Sequence, residues 1–299
     1  MSASDLARPD DLAGPCPVCG GKFLRHGPEW VLRCGGCRFW RSTLGAADGR
    51  LNRTEVLDEA RRADGLRPLR DANFAREIAL LSRLRSLAGA RVLDVGSAHG
   101  WFLEAAARCG ALAEGIEPDE QIAGPARARG LQVVTGYFPE AVPAGTRFDV
   151  ISFHDVLEHI VDVGGALEAC RGLLRPGGLL VVAAPDAGGA LFLLARALSK
   201  VGFGGPLERL WQLGYPSPHV SYFDRTTLGR LSARHGFRMR LGTALPSLAL
   251  RGLWARVHMD RAPGAGSVSL FIALAVASFV LRFLPSDQRL HVFERPADA

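Results

Sequence analysis

The sequence predicts an α/β fold: a seven-stranded, doubly wound sheet, with a small N-terminal four-cysteine ribbon and a hydrophobic helical insertion before the last strand. Three observations predict it. Short apolar runs alternate with helical stretches between Arg91 and Ala184, the signature of a parallel sheet covered on both faces. Two C-x2-C pairs stand close together near the N-terminus, and Val268–Leu281 runs for fourteen residues without a charge.

Composition sets the frame for these elements. A chain of 299 residues has room for one domain of about 200 to 250 residues and a small accessory unit. With 48% hydrophobic and 22% charged residues, global disorder is excluded. The formal charge is +6, yet only Lys22 and Lys200 are lysines, so arginine-rich composition alone accounts for part of it. Its distribution is more telling. Residues 188–299 hold 14 basic and 6 acidic side chains, a surplus of 8, so this half would meet an anionic surface, phospholipid or nucleic acid. The first 15 residues are polar and contain no signal-peptide core, which makes the cytoplasm the default location and metal ligation or free thiols the default reading of six cysteines.

In chain order, residues 1–15 read as a flexible lead and 16–45 as the ribbon. Residues 46–88 read as a helical linker, with a helix at 72–87 marked by Leu80, Leu81, Leu84 and Leu87 and ended by Gly89. The core spans 89–245. Its strands are expected at Arg91–Val95, Leu112–Glu117, Leu131–Thr135, Phe148–Phe153 and Leu179–Ala184, with helices at 101–109, 119–129 and 162–174. A helix at Arg225–Arg234 leads to strands at Phe237–Leu241 and Gln288–Phe293. The hydrophobic insertion occupies 246–287, and the last strand and tail 288–299.

Cys16-Pro17-Val18-Cys19 and Cys34-Gly35-Gly36-Cys37 form C-x2-C-x14-C-x2-C. Two such knuckles deliver four thiolates tetrahedrally, the arrangement of a structural zinc ion, and their glycines free backbone amides for the sulfurs. Arg25, His26, Trp30, Arg33, Arg38 and Trp40 make the unit basic and aromatic, which suits nucleic acid or packing on a neighbouring domain equally. Cys109 and Cys170 read as buried thiols on helices.

The segment Val92-Leu93-Asp94-Val95-Gly96-Ser97-Ala98-His99-Gly100 runs from strand through a tight turn to a helix. Gly96 leaves room for a ligand on the backbone and Gly100 for close approach of helix to sheet. Ala98 and Trp101 break the dinucleotide pattern G-x-G-x-x-G, leaving D-x-G-x-x-x-G. This segment resembles the first motif of class I S-adenosylmethionine-dependent methyltransferases, whose fold is a Rossmann-like sheet. Leu112–Pro118, Phe148–His159 and Leu173–Val181 resemble the family's later motifs in the right order. The resemblance places Glu117 on the cofactor's ribose hydroxyls, as an acid at a strand end can accept from both. It implies further cofactor contacts from Asp94, Gly96, Ser97, Gly100, Tyr137 and His154, with the adenine met by a backbone group or by stacking of Tyr137.

Methyl transfer to oxygen needs alignment of the reactants and a base or a metal to take the acceptor's proton. Asp155, Glu158 and His159 stand at i, i+3 and i+4, one face of a helical turn. Their D-x-x-E-H resembles the E-x-x-E-H of metal-assisted O-methyltransferases, in some of which a downstream histidine joins, here His219. The resemblance thus implies either a divalent cation on Asp155, Glu158, His159 and His219, or catalysis by His159 with Asp155 and His219 lining the pocket.

The reading that follows is O-methylation of a small-molecule, sugar or lipid-linked acceptor; RNA methylation with the ribbon gripping nucleic acid is the alternative. The uncharged segment extends this toward the inner face of a membrane, with residues 246–284 in peripheral contact. The alternative for the same segment is a buried helix packed on the sheet, or a dimer seam.

Overall fold

The computed structural model describes residues 14–44, 59–258, 264 and 266–297, so most of the expected lead and residues 46–58 of the expected linker lie outside the described residues. Two sheets form among the described residues. The larger has seven strands in the order β10-β11-β8-β7-β4-β5-β6. They are β4 (Arg91–Val95), β5 (Leu112–Glu117), β6 (Gln132–Thr135), β7 (Phe148–His154), β8 (Leu174–Pro185), β10 (Arg238–Leu245) and β11 (Gln288–Glu294). Strands β8, β7, β4, β5 and β6 are mutually parallel, and β11 runs antiparallel between β8 and β10. The chain steps from β4 outward through β5 and β6, then returns to β7 on the other side. That reversal between β4 and β7 is where parallel sheets open a ligand crevice at their carboxyl ends.

Helices cover both faces because both sides of each central strand are apolar. On one face α1 (Glu59–Leu84) and α2 (Trp101–Arg108) pack Phe74, Ile78, Leu81 and Phe102 against Val92, Val150, Val181 and Leu290. On the other, α4 (Val163–Leu173) and α7 (Arg225–Arg234) pack Leu167, Cys170, Leu228 and Leu231 against Leu93, Ile151, Phe153 and Leu180. Helix α3 (Glu120–Ala128) closes the β5–β6 edge. The helix expected at 72–87 instead begins at Glu59 and ends at Leu84, and it carries Pro68. Its charged first half gives no apolar period from which to read that start.

The second sheet joins the ribbon to the core. Strands β1 (Phe23–Arg25), β2 (Val31–Cys34) and β3 (Trp40–Ser42) form a meander, and β3 pairs antiparallel with β9 (Ser221–Tyr222), which follows His219. Phe39 is fully buried and lies 5.1 Å from Phe223 between ring centroids. Trp40 and Trp30 pack edge-on against Phe192 and Trp211. These rings face the core, so the ribbon's aromatic residues serve packing. Of the two thiols outside the ribbon, Cys170 is buried, but Cys109 is exposed at the end of α2, in the turn that leads into β5.

Between β10 and β11, α8 (Leu253–Val257) rests on α1, and α9 (Ser267–Leu281) rests on α8 through Trp254 and Phe271, 5.7 Å apart. Helix α9 is not packed on the sheet. Ser267 is its one buried residue, while Val268, Ile272, Val276, Phe279, Val280 and Phe283 form an exposed apolar stripe along it.

Candidate active site and cysteine cluster

The turn after β4 is shaped for a backbone contact. Gly96 has φ 68°, and a Cβ there would lie 2.4 Å from Val156 Cγ2. Gly100 caps α2 at φ 73°, and a Cβ would meet Leu131 at 2.5 Å. Neither position accepts a side chain without movement, so both glycines are demanded by the turn itself. Ala98 also sits at positive φ (44°) within this loop.

Glu117 stands at the end of β5 and holds that loop. Its Oε2 accepts from the Ala98 amide at 2.9 Å and its Oε1 from the Asp119 amide at 3.0 Å. Burial raises its pKa against the pull of those two amides. A carboxylate offers about four acceptor positions, so two remain for ligand hydroxyls. Tyr137, past the end of β6, is 54% exposed at the same edge of the sheet, where its ring is free to stack. Ser97 turns the other way, wedged so tightly against β5 that a Cβ on Gly115 would fall 2.5 Å from its Oγ.

Asp94 and His154 lie beneath this surface. His154 donates from Nδ1 to Asp94 Oδ1 at 2.8 Å and from Nε2 to Glu77 Oε1 at 2.9 Å, and Ser152 also donates to Asp94. Burial opposes the charge on the imidazole, but Glu77 and Asp94 overcome it and raise its pKa to about 10. Both ring nitrogens are thus committed. His154, expected among the cofactor contacts, is held between Asp94 of β4 and Glu77 of α1. Glu77 gave no signal in the sequence, where it is one charge among many on α1.

After β7 the chain does not form the helical turn expected for Asp155, Glu158 and His159. Asp155 adopts φ 55°, and a single 3-10 turn covers Leu157–His159. The Asp155 carboxylate is bound by Arg70 of α1 and by Gln288 of β11, whose Nε2 donates at 2.6 Å. Burial pushes its pKa up, but the Arg70 charge and these bonds bring it below the usual value. The four-residue cation set therefore loses Asp155, because the left-handed residue turns its side chain toward α1 and β11.

Glu158, His159 and His219 do converge, with one possible ligand atom of each within 4.8 Å of the others. The two imidazoles are 4.7 Å apart. His159 Nδ1 donates to the Pro218 carbonyl at 3.1 Å, which leaves Nε2 as an acceptor; burial lowers its pKa and keeps the ring neutral. Burial and the neighbouring His159 lower His219 to about 3. Glu158 is 1% exposed, and neither of its oxygens has a hydrogen-bond partner among the described residues, Oε1 lying 4.0 Å from His219 Nε2; burial, with Asp155 adding repulsion, raises its pKa well above normal. The ribbon braces this cluster. Ser42 Oγ donates to the His219 carbonyl at 2.7 Å, and the Val220 amide donates to the Glu158 carbonyl at 2.8 Å.

In the ribbon, the sulfurs of Cys16, Cys19, Cys34 and Cys37 lie within 4.8 Å of one another, in pairs at 3.5 and 3.4 Å. A Cβ on Gly21 would sit 3.2 Å from two of them, so the glycine is needed for the cradle. Against the effect of burial, the Cys37 and Gly36 amides and the Cys19 thiol lower Cys34 to about 7. Four clustered thiols with amide donors fit a soft tetrahedral cation.

A family model described as a methyltransferase domain matches residues 67–241, more than half of the chain. The chain belongs to the methyltransferase-domain family. Among curated relatives, the ubiquinone biosynthesis O-methyltransferase of Rhizobium leguminosarum bv. trifolii is 39% identical over 107 residues, covering 33% of this chain and 42% of that protein. The enzyme of the same name from Xylella fastidiosa (strain M23) is 37% identical over 138 residues, covering 43% of this chain and 55% of the other. The chain thus spans about half the length of these relatives. In fold, this methyltransferase domain resembles a SAM-dependent methyltransferase from Archaeoglobus fulgidus, at 16% identity and TM-score 0.52, over 76% of this chain and 94% of that one. It also resembles the magnesium protoporphyrin IX methyltransferase of Synechocystis with bound SAH, at 14% identity and TM-score 0.51, over 83% and 90% of the two chains.

Proposed function

We propose that this protein transfers a methyl group from S-adenosylmethionine to a hydroxyl of a small or lipid-linked acceptor. The observation that carries the proposal is the position of Glu158, His159 and His219, just past β7 and beside the Gly96 turn, with the His159 Nε2 lone pair unclaimed by the Pro218 bond. Gly96, Glu117 and Tyr137 suit the cofactor: a bare backbone, an acid with spare acceptor positions, and an exposed ring. The cofactor supplies an electrophilic methyl carbon. The protein's own part is to align the acceptor and take its proton, and His159, held neutral, is the base.

A second reading gives the proton's removal to a divalent cation held by Glu158, His159 and His219. The buried, unpartnered Glu158 oxygens and His219 Nδ1 favour it, since such groups are costly without a ligand. Zinc in the cysteine cluster is proposed as structural. The curated relatives' name supports a hydroxylated acceptor of the quinone-precursor type. The exposed α9 stripe supports delivery of a lipid-linked acceptor from an anionic membrane face. No described helix is long and apolar enough to cross a membrane.

Labelled-methyl transfer to fractionated cell extract tests the proposal. Label is expected in lipid or small-molecule pools, and His159→Ala is expected to lower kcat by about 10²–10⁴-fold. Label confined to RNA would favour the nucleic-acid alternative. Addition of Mg²⁺ or Mn²⁺ to chelated enzyme separates the two proton routes.

A further inference from the structure

We infer that the seam between the ribbon and the core is a second binding site, one that takes a phosphate group. A cavity of about 260 Å³ lies there, between the His26–Val31 turn and helices α5 (Ala190–Lys200) and α6 (Gly205–Leu210). Typical sites for drug-sized ligands run from about 300 to 1,000 Å³, so this one suits a single compact group.

Its chemistry is one-sided. Arg196 and Lys200 line it beside His26, and among the lining residues none is acidic. Arg33 stands behind the lining, 4.9 Å from the Trp40 ring, while Arg196 stands 4.2 Å from the same ring. Arg196 Nη2 contacts His26 Nε2 at 3.4 Å, and a guanidinium only donates, so His26 is the neutral acceptor. Burial and the charges of Arg196, Arg33 and Lys200 lower the pKa of His26, in keeping with that assignment. Like charges held this close, without a carboxylate in the lining, are unfavourable unless an anion joins them.

The donors point to the same ligand. Trp211 lines the cavity at 0% exposure, and its Nε1 has no acceptor among the described residues. The Nε of Arg196 is likewise buried and without a hydrogen-bond partner among the described residues. The Arg196 guanidinium, the Lys200 ammonium and the Trp211 indole fit the oxygens of a tetrahedral oxyanion, and aromatic walls from Trp40 and Phe192 fit what it is attached to. The phosphate has two possible sources, a membrane headgroup or a soluble phosphorylated metabolite. Next to the cavity, α5 exposes Leu191 and Leu194, and Val201 and Phe203 follow it, so either source has access.

Tryptophan fluorescence during titration with inorganic phosphate, at ionic strength held constant with sodium chloride, tests the site. A saturable change is expected in the full chain. Arg196→Gln should weaken the apparent affinity by roughly tenfold or more, the effect of losing a charge-assisted bond. Trp211→Phe, which keeps the ring but removes the donor, should weaken thermal stabilisation by phosphate, read as the rise in Tm. Unchanged S-adenosylmethionine binding and zinc content serve as checks that both variants fold. Vesicles containing phosphatidylglycerol that displace phosphate assign the headgroup; displacement by glycerol 3-phosphate but not by vesicles assigns a soluble ligand. The proposal is overturned if phosphate gives no saturable response, or if properly folded variants respond as the parent does.

Discussion

Glu117 combines two tasks that both favour its carboxylate, against a burial that raises its pKa. It receives the Ala98 and Asp119 amides, which shape the turn, and in the proposed function it also accepts from the ribose hydroxyls. Glu117→Ala is expected to weaken S-adenosylmethionine binding by about 1–3 kcal/mol, measured by calorimetry. Unchanged affinity would remove Glu117 from the cofactor site. Asp155 and His154 show how a motif position can be committed to protein partners. Each is held by partners distant in sequence: Arg70 and Gln288 for the first, Glu77 for the second. The D-x-x-E-H spacing is legible in the sequence, but the φ of 55° at Asp155 that splits its first acid from the rest is not.

At the scale of elements, two pieces make testable demands. Strand β11 carries His291 in the sheet interior, with neither ring nitrogen partnered among the described residues. Burial, aided by Arg289 and Arg225, lowers its pKa from 6.5 to about 4. Between those values the unfolded chain binds a proton that the folded chain refuses, so stability falls as pH drops from 6.5 toward 4. His291→Leu is expected to flatten this acid limb in denaturation curves taken across that range. An unaltered slope would mean the imidazole titrates normally. Helix α9 poses the other demand. Its apolar stripe ends at Arg282 and Phe283, the latter 73% exposed. Sedimentation with anionic liposomes is expected for the full chain, and Ile272→Glu with Phe279→Glu should abolish it. Failure of the parent to sediment would end the membrane reading.

Across the whole molecule, the ribbon and the Glu158, His159 and His219 cluster are joined through one sheet. Through β3, Ser42 and β9, the cysteine knuckles hold the segment that bears His219. Elemental analysis is expected to find one zinc per chain, lost on changing Cys34 and Cys37 to serine. That loss should lower Tm and also kcat, with S-adenosylmethionine affinity changing less, because Gly96 and Glu117 belong to the other part of the sheet. Protein purified without chelator and free of zinc would refute the assignment.

The sequence by itself determined the succession of the seven strands of the larger sheet, the turn at Gly96 and Gly100, and the four-cysteine knuckles. Each of these is a local pattern, written in apolar period, in glycine or in short cysteine spacing, so it survives without knowledge of the fold. Helix Arg225–Arg234 was legible to the residue for that reason, between its Asp224 cap and the turn at Gly236. Only the tertiary structure decided which acids meet which bases, that the ribbon joins the core through β9, and that α9 lies outward on α8 instead of on the sheet. Glu77 reaches His154 across 77 residues of chain, and Arg70 reaches Asp155 across 85. Such pairings follow from how α1 lies across the sheet, and no periodicity along the chain records that choice.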